Sequence, residues 1–159
     1  MTTLREAVES FLYREAQLLD NGQLQDWLEL FEPTCEYQVA PMDVRDAPPD
    51  KALYLVDDDA PRLKSRVEQL LSGKTFSEAP LSRTRRTITN ILIAEAGPQM
   101  LRIDANFIVN RFRHGNMDTF VGRHEHLLAV NGERLRFRKR KCILDHEALR
   151  PQGKLSILL

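Results

Sequence analysis

Apolar residues recur every three or four positions along the first thirty residues, which is the period of an amphipathic helix. The positions that keep this period in the second half of the stretch are Leu24, Trp27, Leu28 and Phe31. Thr3 and Glu6 have the spacing of a capping box, and Gly22 suits the left-handed residue that ends a helix. The pattern predicts a long helix, a turn, a short helix and then a strand, with Trp27 and Phe31 as buried core anchors.

The middle of the chain contains an acidic, proline-containing stretch followed by a third helical pattern. Residues 41–59 include two adjacent prolines and a run of three aspartates, which is typical of a surface excursion. A helix is expected to begin near Asp59, because an acidic residue and a first-turn proline both favour a helix start. Its apolar stripe consists of Leu63, Val67, Leu70 and Leu71. The helix is expected to end at Gly73.

The second half of the chain alternates apolar and polar residues, which is the period of β-strands. The predicted strands cover residues 84–94, 101–113, 119–130 and 134–145. The apolar face of the second of these strands consists of Leu101, Ile103, Ala105, Phe107 and Val109. In the last strand, alternation is expected to place Arg136, Arg138 and Arg140 on one face.

Asn131 and Gly132 form a two-residue hairpin signal between the last two predicted strands, so neighbouring strands are expected to run antiparallel. Three helices followed by a curved, mainly antiparallel meander predict an α+β fold. At 159 residues the chain has the length of one domain, and residues 1–159 are expected to form it without an internal repeat or linker.

The composition, with 42% hydrophobic and 29% charged residues, is that of a soluble globular protein. No stretch approaches the roughly 20 apolar residues that a membrane span requires, so no membrane partner is predicted. The first residues show no signal-peptide pattern. Two cysteines are too few for a disulfide framework. A cytoplasmic location is therefore expected.

The net charge is zero, but the charges are unevenly distributed. Residues 83–142 contain thirteen Lys or Arg against five Asp or Glu, so the remainder is acidic by the same margin of eight. Such a split can serve nucleic-acid binding, neutralisation between the two halves, or a polar subunit interface. Because the chain is neutral overall and has few aromatic residues among its arginines, nucleic acid is not the predicted partner.

His124 and His126 are the one close pair of potential metal ligands in the sequence, and their spacing places both on the same strand face. A metal site is one interpretation, and a hydrogen-bonded or surface pair is the other. Because the spacing suggests no third ligand, no metal site is predicted. The two cysteines have no neighbouring histidine, so the chain also lacks the paired motifs of a Rieske cluster. No catalytic or cofactor-binding residue is predicted.

Several collinear stretches resemble the small, or beta, subunit of bacterial aromatic-ring-hydroxylating dioxygenases. They are FLYREAQLLDNGQLQDWLELF at residues 11–31, the segment at residues 57–90 that ends SRTRRTITN, FVGRHEHLL at residues 120–128, KCILDHEAL at residues 141–149, and the terminal LSILL. The SRTR and VGR-x-E elements are the most specific of these.

The resemblance implies a cone-shaped fold of the nuclear-transport-factor-2-like kind. It also implies a role for the chain as a non-catalytic structural subunit that stabilises an oxygenase assembly in aromatic compound catabolism. The expected partner is a large alpha subunit that holds a Rieske 2Fe-2S cluster and a mononuclear iron. In that family three beta subunits typically support three alpha subunits, so a trimer of this chain is expected.

Subunit interfaces would use the arginines of the strands, whose planar forks suit pairing with carboxylates. The apolar residues 155–159 would otherwise face water, so they are expected to dock either on the chain's own sheet or on a neighbouring subunit. The predicted interface residues are Arg123, Arg136, Arg138, Arg140, Leu155, Ile157 and Leu158. An alternative function is also open, since cone-shaped domains often hold a pocket and some relatives are dehydratases or isomerases. The acid–base groups for that alternative would be Tyr13, Asp20, His124 and His126.

Overall fold

The computed structural model describes residues 1–40, 49–50, 54–146 and 155–159. The helices are α1 (Leu4–Asp20), α2 (Leu24–Leu28) and α3 (Ala60–Leu71), with a short 3₁₀ helix at Phe76–Glu78. The strands are β1 (Phe31–Val39), β2 (Val56–Asp59), β3 (Arg83–Glu95), β4 (Met100–Arg113), β5 (Asn116–Asn131) and β6 (Arg134–Leu144). This order confirms the α+β fold class, with helices early in the chain and long strands after them.

The helix starts follow from side-chain caps. The backbone N–H of Glu6 donates to the Thr3 hydroxyl at 3.2 Å, and the Thr3 N–H donates to the Glu6 carboxylate at 2.7 Å, which confirms the capping box. Asp59 caps α3 by accepting from the Arg62 N–H at 3.0 Å. Gly22 has a φ of +70°, as the predicted end of α1 requires.

The described strands form one sheet in the order β2-β1-β6-β5-β4-β3. The pairing of β1 with β6 is parallel, and the other pairings are antiparallel. The prediction of a surface excursion over residues 41–59 is wrong at its end, because Val56–Asp59 pairs with β1 as the edge strand β2. Residues 41–48 and 51–53 of that predicted excursion lie outside the described residues.

A β-bulge in β6 changes which arginines face inward. Leu127 lies opposite Lys139 and Leu128 lies opposite Phe137, so Arg138 has no partner residue on β5. Phe137 and Arg140 are consequently both buried, while Arg138 is exposed. The prediction that Arg136, Arg138 and Arg140 share one face is wrong, because strict alternation fails at a bulge.

The core lies between the helices and the covered face of the sheet. Every residue of the predicted apolar face of β4 is buried, and both predicted anchors, Trp27 and Phe31, are buried as well. The rings of Trp27 and Phe31 meet edge to face with centroids 4.8 Å apart. Among the residues that the structure describes, no helix has the length and apolar character needed to cross a membrane.

Gly122 allows the closest backbone approach in the sheet. A Cβ atom at this position would lie 2.1 Å from the carbonyl oxygen of Ile143 on β6. We expect Gly122→Ala to lower the free energy of unfolding by about 1–3 kcal/mol, because the two strands would have to separate. Chemical denaturation measures the loss. Glu133→Ala, in the exposed turn between β5 and β6, serves as the control, with an expected change within about 0.5 kcal/mol. Equal stabilities for the two variants would contradict the prediction.

Candidate functional site

The space between the helices and the sheet is occupied by residues 155–159 of the same chain, here called the interior segment. Leu158 and Leu159 are buried, and they belong to the same apolar core as the helices and strands. The three residues before them are half-buried. A cavity of about 180 Å³ remains beside the segment, and its other walls include Tyr37 and Leu70.

Arg140 lies at the centre of a buried polar cluster. Its Nε donates to Glu15 Oε1 at 2.5 Å, and the indole N–H of Trp27 donates to the same oxygen at 3.2 Å. Its Nη1 donates to the main-chain oxygen of Leu159. Burial acts to lower the pKa of Arg140, but the Glu15 carboxylate, Cys142 and Tyr37 together outweigh it, so the pKa is raised overall. The charged guanidinium therefore joins β6 to α1 and to the interior segment.

Arg86 makes a second buried ion pair beside the interior segment. Its Nη1 donates to Asp20 Oδ1 at 2.7 Å, and both side chains are almost fully covered. The same carboxylate accepts from the Arg86 backbone N–H at 3.0 Å and from the Thr84 hydroxyl at 2.9 Å. Arg86 Nη2 donates to the main-chain oxygen of Leu158. Each of the two arginines thus binds one carboxylate on α1 and one main-chain oxygen of the interior segment.

Tyr37 and Cys142 complete the contacts to Leu159. The Leu159 N–H donates to the Tyr37 hydroxyl oxygen at 3.1 Å, and the Cys142 thiol donates to the Leu159 main-chain oxygen at 3.4 Å. Burial raises the pKa of Tyr37 to about 12 and that of Cys142 to about 11. Because both groups stay protonated near neutral pH, neither is an activated base or nucleophile.

His124 and His126 lie side by side on the buried face of β5, with ring centroids 4.5 Å apart. Phe107 stacks on His124 at 4.4 Å, and His126 Nδ1 accepts from the Lys141 backbone N–H at 3.3 Å. Burial lowers the pKa of both histidines well below the ordinary value, so both rings are neutral. Within the described parts of the chain, the Nε2 atom of each ring has no hydrogen-bond partner. Both rings are therefore buried and polar without an acid–base partner.

The residues predicted for acid–base chemistry do not meet in one place. Tyr13 is 51% exposed on α1 and faces away from the interior. Asp20 is engaged by Arg86 and Thr84. Over residues 1–40, 49–50, 54–146 and 155–159, no three His, Cys, Asp or Glu side chains are arranged to hold a metal ion. The positions of these four residues thus fit structural roles better than a shared acid–base site.

The predicted interface residues divide between surface and interior. Arg138 is exposed, and Arg123 and Arg136 are half-buried. Arg136 and Arg138 both approach the Glu32 carboxylate, at 4.0 and 3.7 Å. Arg140 lies in the interior with Leu158, so neither lies on the surface that a subunit interface would use. Leu155 and Ile157 are half-buried at the mouth of the cavity.

The sequence prediction missed buried carboxylates, among them Glu15 and Glu78. Glu15 lies between Leu12 and Leu19 on the apolar stripe of α1, and a charged residue on such a stripe is a usable signal for a buried ion pair. Glu78 is also buried, and it accepts from Arg111 at 2.6 Å and from the Ser156 hydroxyl at 3.3 Å. Its loop position gives no comparable sequence signal.

The family model described as "Ring hydroxylating beta subunit" matches residues 14–151. Among curated proteins, the small oxygenase component of the p-cumate 2,3-dioxygenase system of Pseudomonas putida is 42% identical over 157 residues. That match covers 98% of this chain and 87% of the relative.

Solved structures agree with the sequence matches. Naphthalene 1,2-dioxygenase with bound indole superimposes with a TM-score of 0.82 at 27% identity, covering 98% of this chain and 84% of the other. A Novosphingobium aromaticivorans protein assigned as a scytalone dehydratase gives a TM-score of 0.67 at 16% identity, with 96% and 95% coverage. The second likeness concerns the fold alone. Together they confirm the nuclear-transport-factor-2-like cone, with three helices on a curved sheet.

Proposed function

This chain belongs to the ring-hydroxylating beta-subunit family, and we propose that it is the non-catalytic structural subunit of a terminal oxygenase that adds dioxygen to an aromatic ring. The family match over most of the chain carries this proposal. The structure supports it, because the interior of the cone holds the chain's own residues 155–159 and two buried ion pairs that bind them. The whole chain would act as one cone-shaped domain in the cytoplasm.

The partner would be a large alpha subunit that carries the Rieske cluster and the mononuclear iron. The relatives with dioxygenase names are components of multi-subunit oxygenases, which supports such a partner. An acid–base function in the cone is not proposed, because Tyr13 lies outside it and Asp20 is held in an ion pair.

We expect this chain, purified alone, to contain no stoichiometric iron, and the complex with its alpha subunit to contain all of it. Co-expression with the alpha subunit from the neighbouring gene, followed by size-exclusion chromatography and metal analysis of each peak, measures both. The alpha subunit expressed alone is the control for stability of the iron-containing chain. About one iron per beta chain in the isolated protein, or failure of the two chains to co-purify, would contradict the proposed role.

Self-association as a trimer is part of the proposal, and the outer face of the sheet supports it. Two pairs of apolar residues lie directly opposite one another on β4 and β5 of this face, Ile108 with Val121 and Phe112 with Met117. All four are at least 36% exposed. Exposed apolar residues on an open sheet face are typical of a protein–protein interface, and here the polar pair Asn110 and Thr119 lies between the two apolar pairs. Arg123 lies two residues beyond Val121 on the same strand face.

Light scattering at micromolar concentration is expected to give the mass of three chains. Ile108→Glu combined with Val121→Glu should shift that mass toward one chain or weaken capture of the alpha subunit, because two of the four apolar side chains on each face become charged. Leu4→Glu, an exposed apolar residue at the start of α1, is the matched control. A monomeric wild-type chain, with unaltered alpha-subunit capture by the double variant, would overturn this assignment of the interface.

A further inference from the structure

We infer that the interior of the cone is a peptide-binding site and that residues 155–159 are its intramolecular ligand. The inference goes beyond the proposed function, because it concerns recognition within one chain and needs no alpha subunit. Its basis is that interior residues bind main-chain groups of Leu158 and Leu159 as well as side chains of the segment.

Two buried arginines supply the donors of this site. Arg86 and Arg140 are each neutralised by one carboxylate, Asp20 and Glu15, and each still has guanidinium N–H groups to satisfy. Those groups donate to the main-chain oxygens of two consecutive residues, Leu158 and Leu159. If the segment were absent, both arginines would keep buried donors without acceptors, which is costly in a protein interior.

The remaining contacts complete recognition of a peptide. The Leu159 N–H donates to the Tyr37 hydroxyl, so the site binds one main-chain donor as well as two main-chain acceptors. Ser156 donates from its hydroxyl to the buried carboxylate of Glu78. The leucine side chains are buried in the apolar core, where they provide the hydrophobic part of the binding free energy.

The site is open on one side of the segment. The cavity of about 180 Å³ lies beside residues 155–158 and is only partly enclosed, between α3 and the segment. Leu155, Ser156 and Ile157 are half-buried, whereas Leu158 and Leu159 lie deep inside. Burial therefore increases along the segment from residue 155 to residue 159. A short apolar peptide could occupy the same contacts when supplied as a separate molecule.

Peptide complementation tests this inference. The protein truncated after residue 154 is mixed with a labelled peptide of sequence LSILL, and binding is followed by fluorescence anisotropy. Trp27, the one tryptophan of the sequence, lies next to Arg140 and reports on the interior independently. We expect saturable one-to-one binding, a rise in melting temperature with peptide concentration, and at least tenfold weaker binding to the full-length chain. The control peptide LSIDD, which replaces both leucines by aspartate, should not bind.

A second variant covers the case in which the truncated chain does not fold. Full-length Leu158→Ala combined with Leu159→Ala keeps the chain covalently intact and weakens only the side-chain anchors of the segment. This variant should bind the labelled LSILL peptide at least tenfold more tightly than the wild-type chain does. The inference is overturned if neither variant binds LSILL better than wild type, or if LSIDD binds as well as LSILL.

Discussion

Replacing Glu15 with alanine is expected to lower the free energy of unfolding by about 3–5 kcal/mol, because it leaves the buried charge of Arg140 without a partner. The Glu15 carboxylate accepts from Arg140 at 2.5 Å and from the Trp27 indole at 3.2 Å, so one substitution removes the acceptor of two buried donors. Urea denaturation monitored by Trp27 fluorescence measures the loss.

A double substitution separates the cost of a broken pair from the worth of the intact pair. Glu15→Leu combined with Arg140→Met removes both charges, and we expect it to recover at least half of the stability lost in Glu15→Ala. Glu9→Ala is the matched control, because Glu9 pairs with Arg5 at the surface and exposed pairs contribute at most about 1 kcal/mol. A loss below about 1 kcal/mol for Glu15→Ala would show that Arg140 is neutralised by some other group.

The elements of the fold follow local rules, and the sequence therefore predicted them well. Thr3, Gly22 and Asp59 define helix ends through contacts within a few residues, and these contacts form as expected. The alternation from Leu101 to Val109 needs only a regular strand, and it correctly identified the buried face of β4.

The failures occur where the structure depends on distant pairing. The bulge at Arg138 is set by how β5 and β6 align around their whole length, and it reverses the face of Arg140. The strand β2 forms because β1 offers it an edge, although its sequence reads as an acidic loop. The β-propensity of a segment predicts neither the bulge nor the pairing of β2, because both depend on the partner strand.

The interior site was missed for a related reason. Sequence reasoning assigned the strand arginines to an intermolecular surface and left residues 155–159 to dock either on their own sheet or on a neighbouring subunit, because charged and apolar side chains both require a partner. The structure supplies partners within the chain for Arg140 and Leu158, more than 100 residues from Glu15 in sequence. The need for a partner could be predicted, but its identity depended on the cone bringing α1, β6 and the interior segment together.

The stability of the protein is expected to fall steeply as the pH drops from about 6.5 toward 5, because His124 and His126 are buried as neutral rings. Burial lowers their pKa in the folded state, and the positive charge of Arg140 opposes protonation of both. In the unfolded chain a histidine has a pKa of about 6.5, so below this pH the unfolded state binds protons that the folded state excludes. Acid therefore favours unfolding, and the effect disappears above about pH 7.

Each histidine lowers the free energy of unfolding by up to about 1.4 kcal/mol per pH unit in this window, and the pair lowers it by up to about 2.7 kcal/mol per pH unit. Denaturation of the wild-type chain at half-unit steps from pH 7.5 to 5 should show this slope. His124→Gln combined with His126→Gln should flatten it, whereas His114→Gln, at an exposed turn, should leave it unchanged. An unaltered slope in the double variant would mean that other groups take up the protons. Because the titrating rings lie beside Arg140, mild acid should also loosen the network that holds the interior segment.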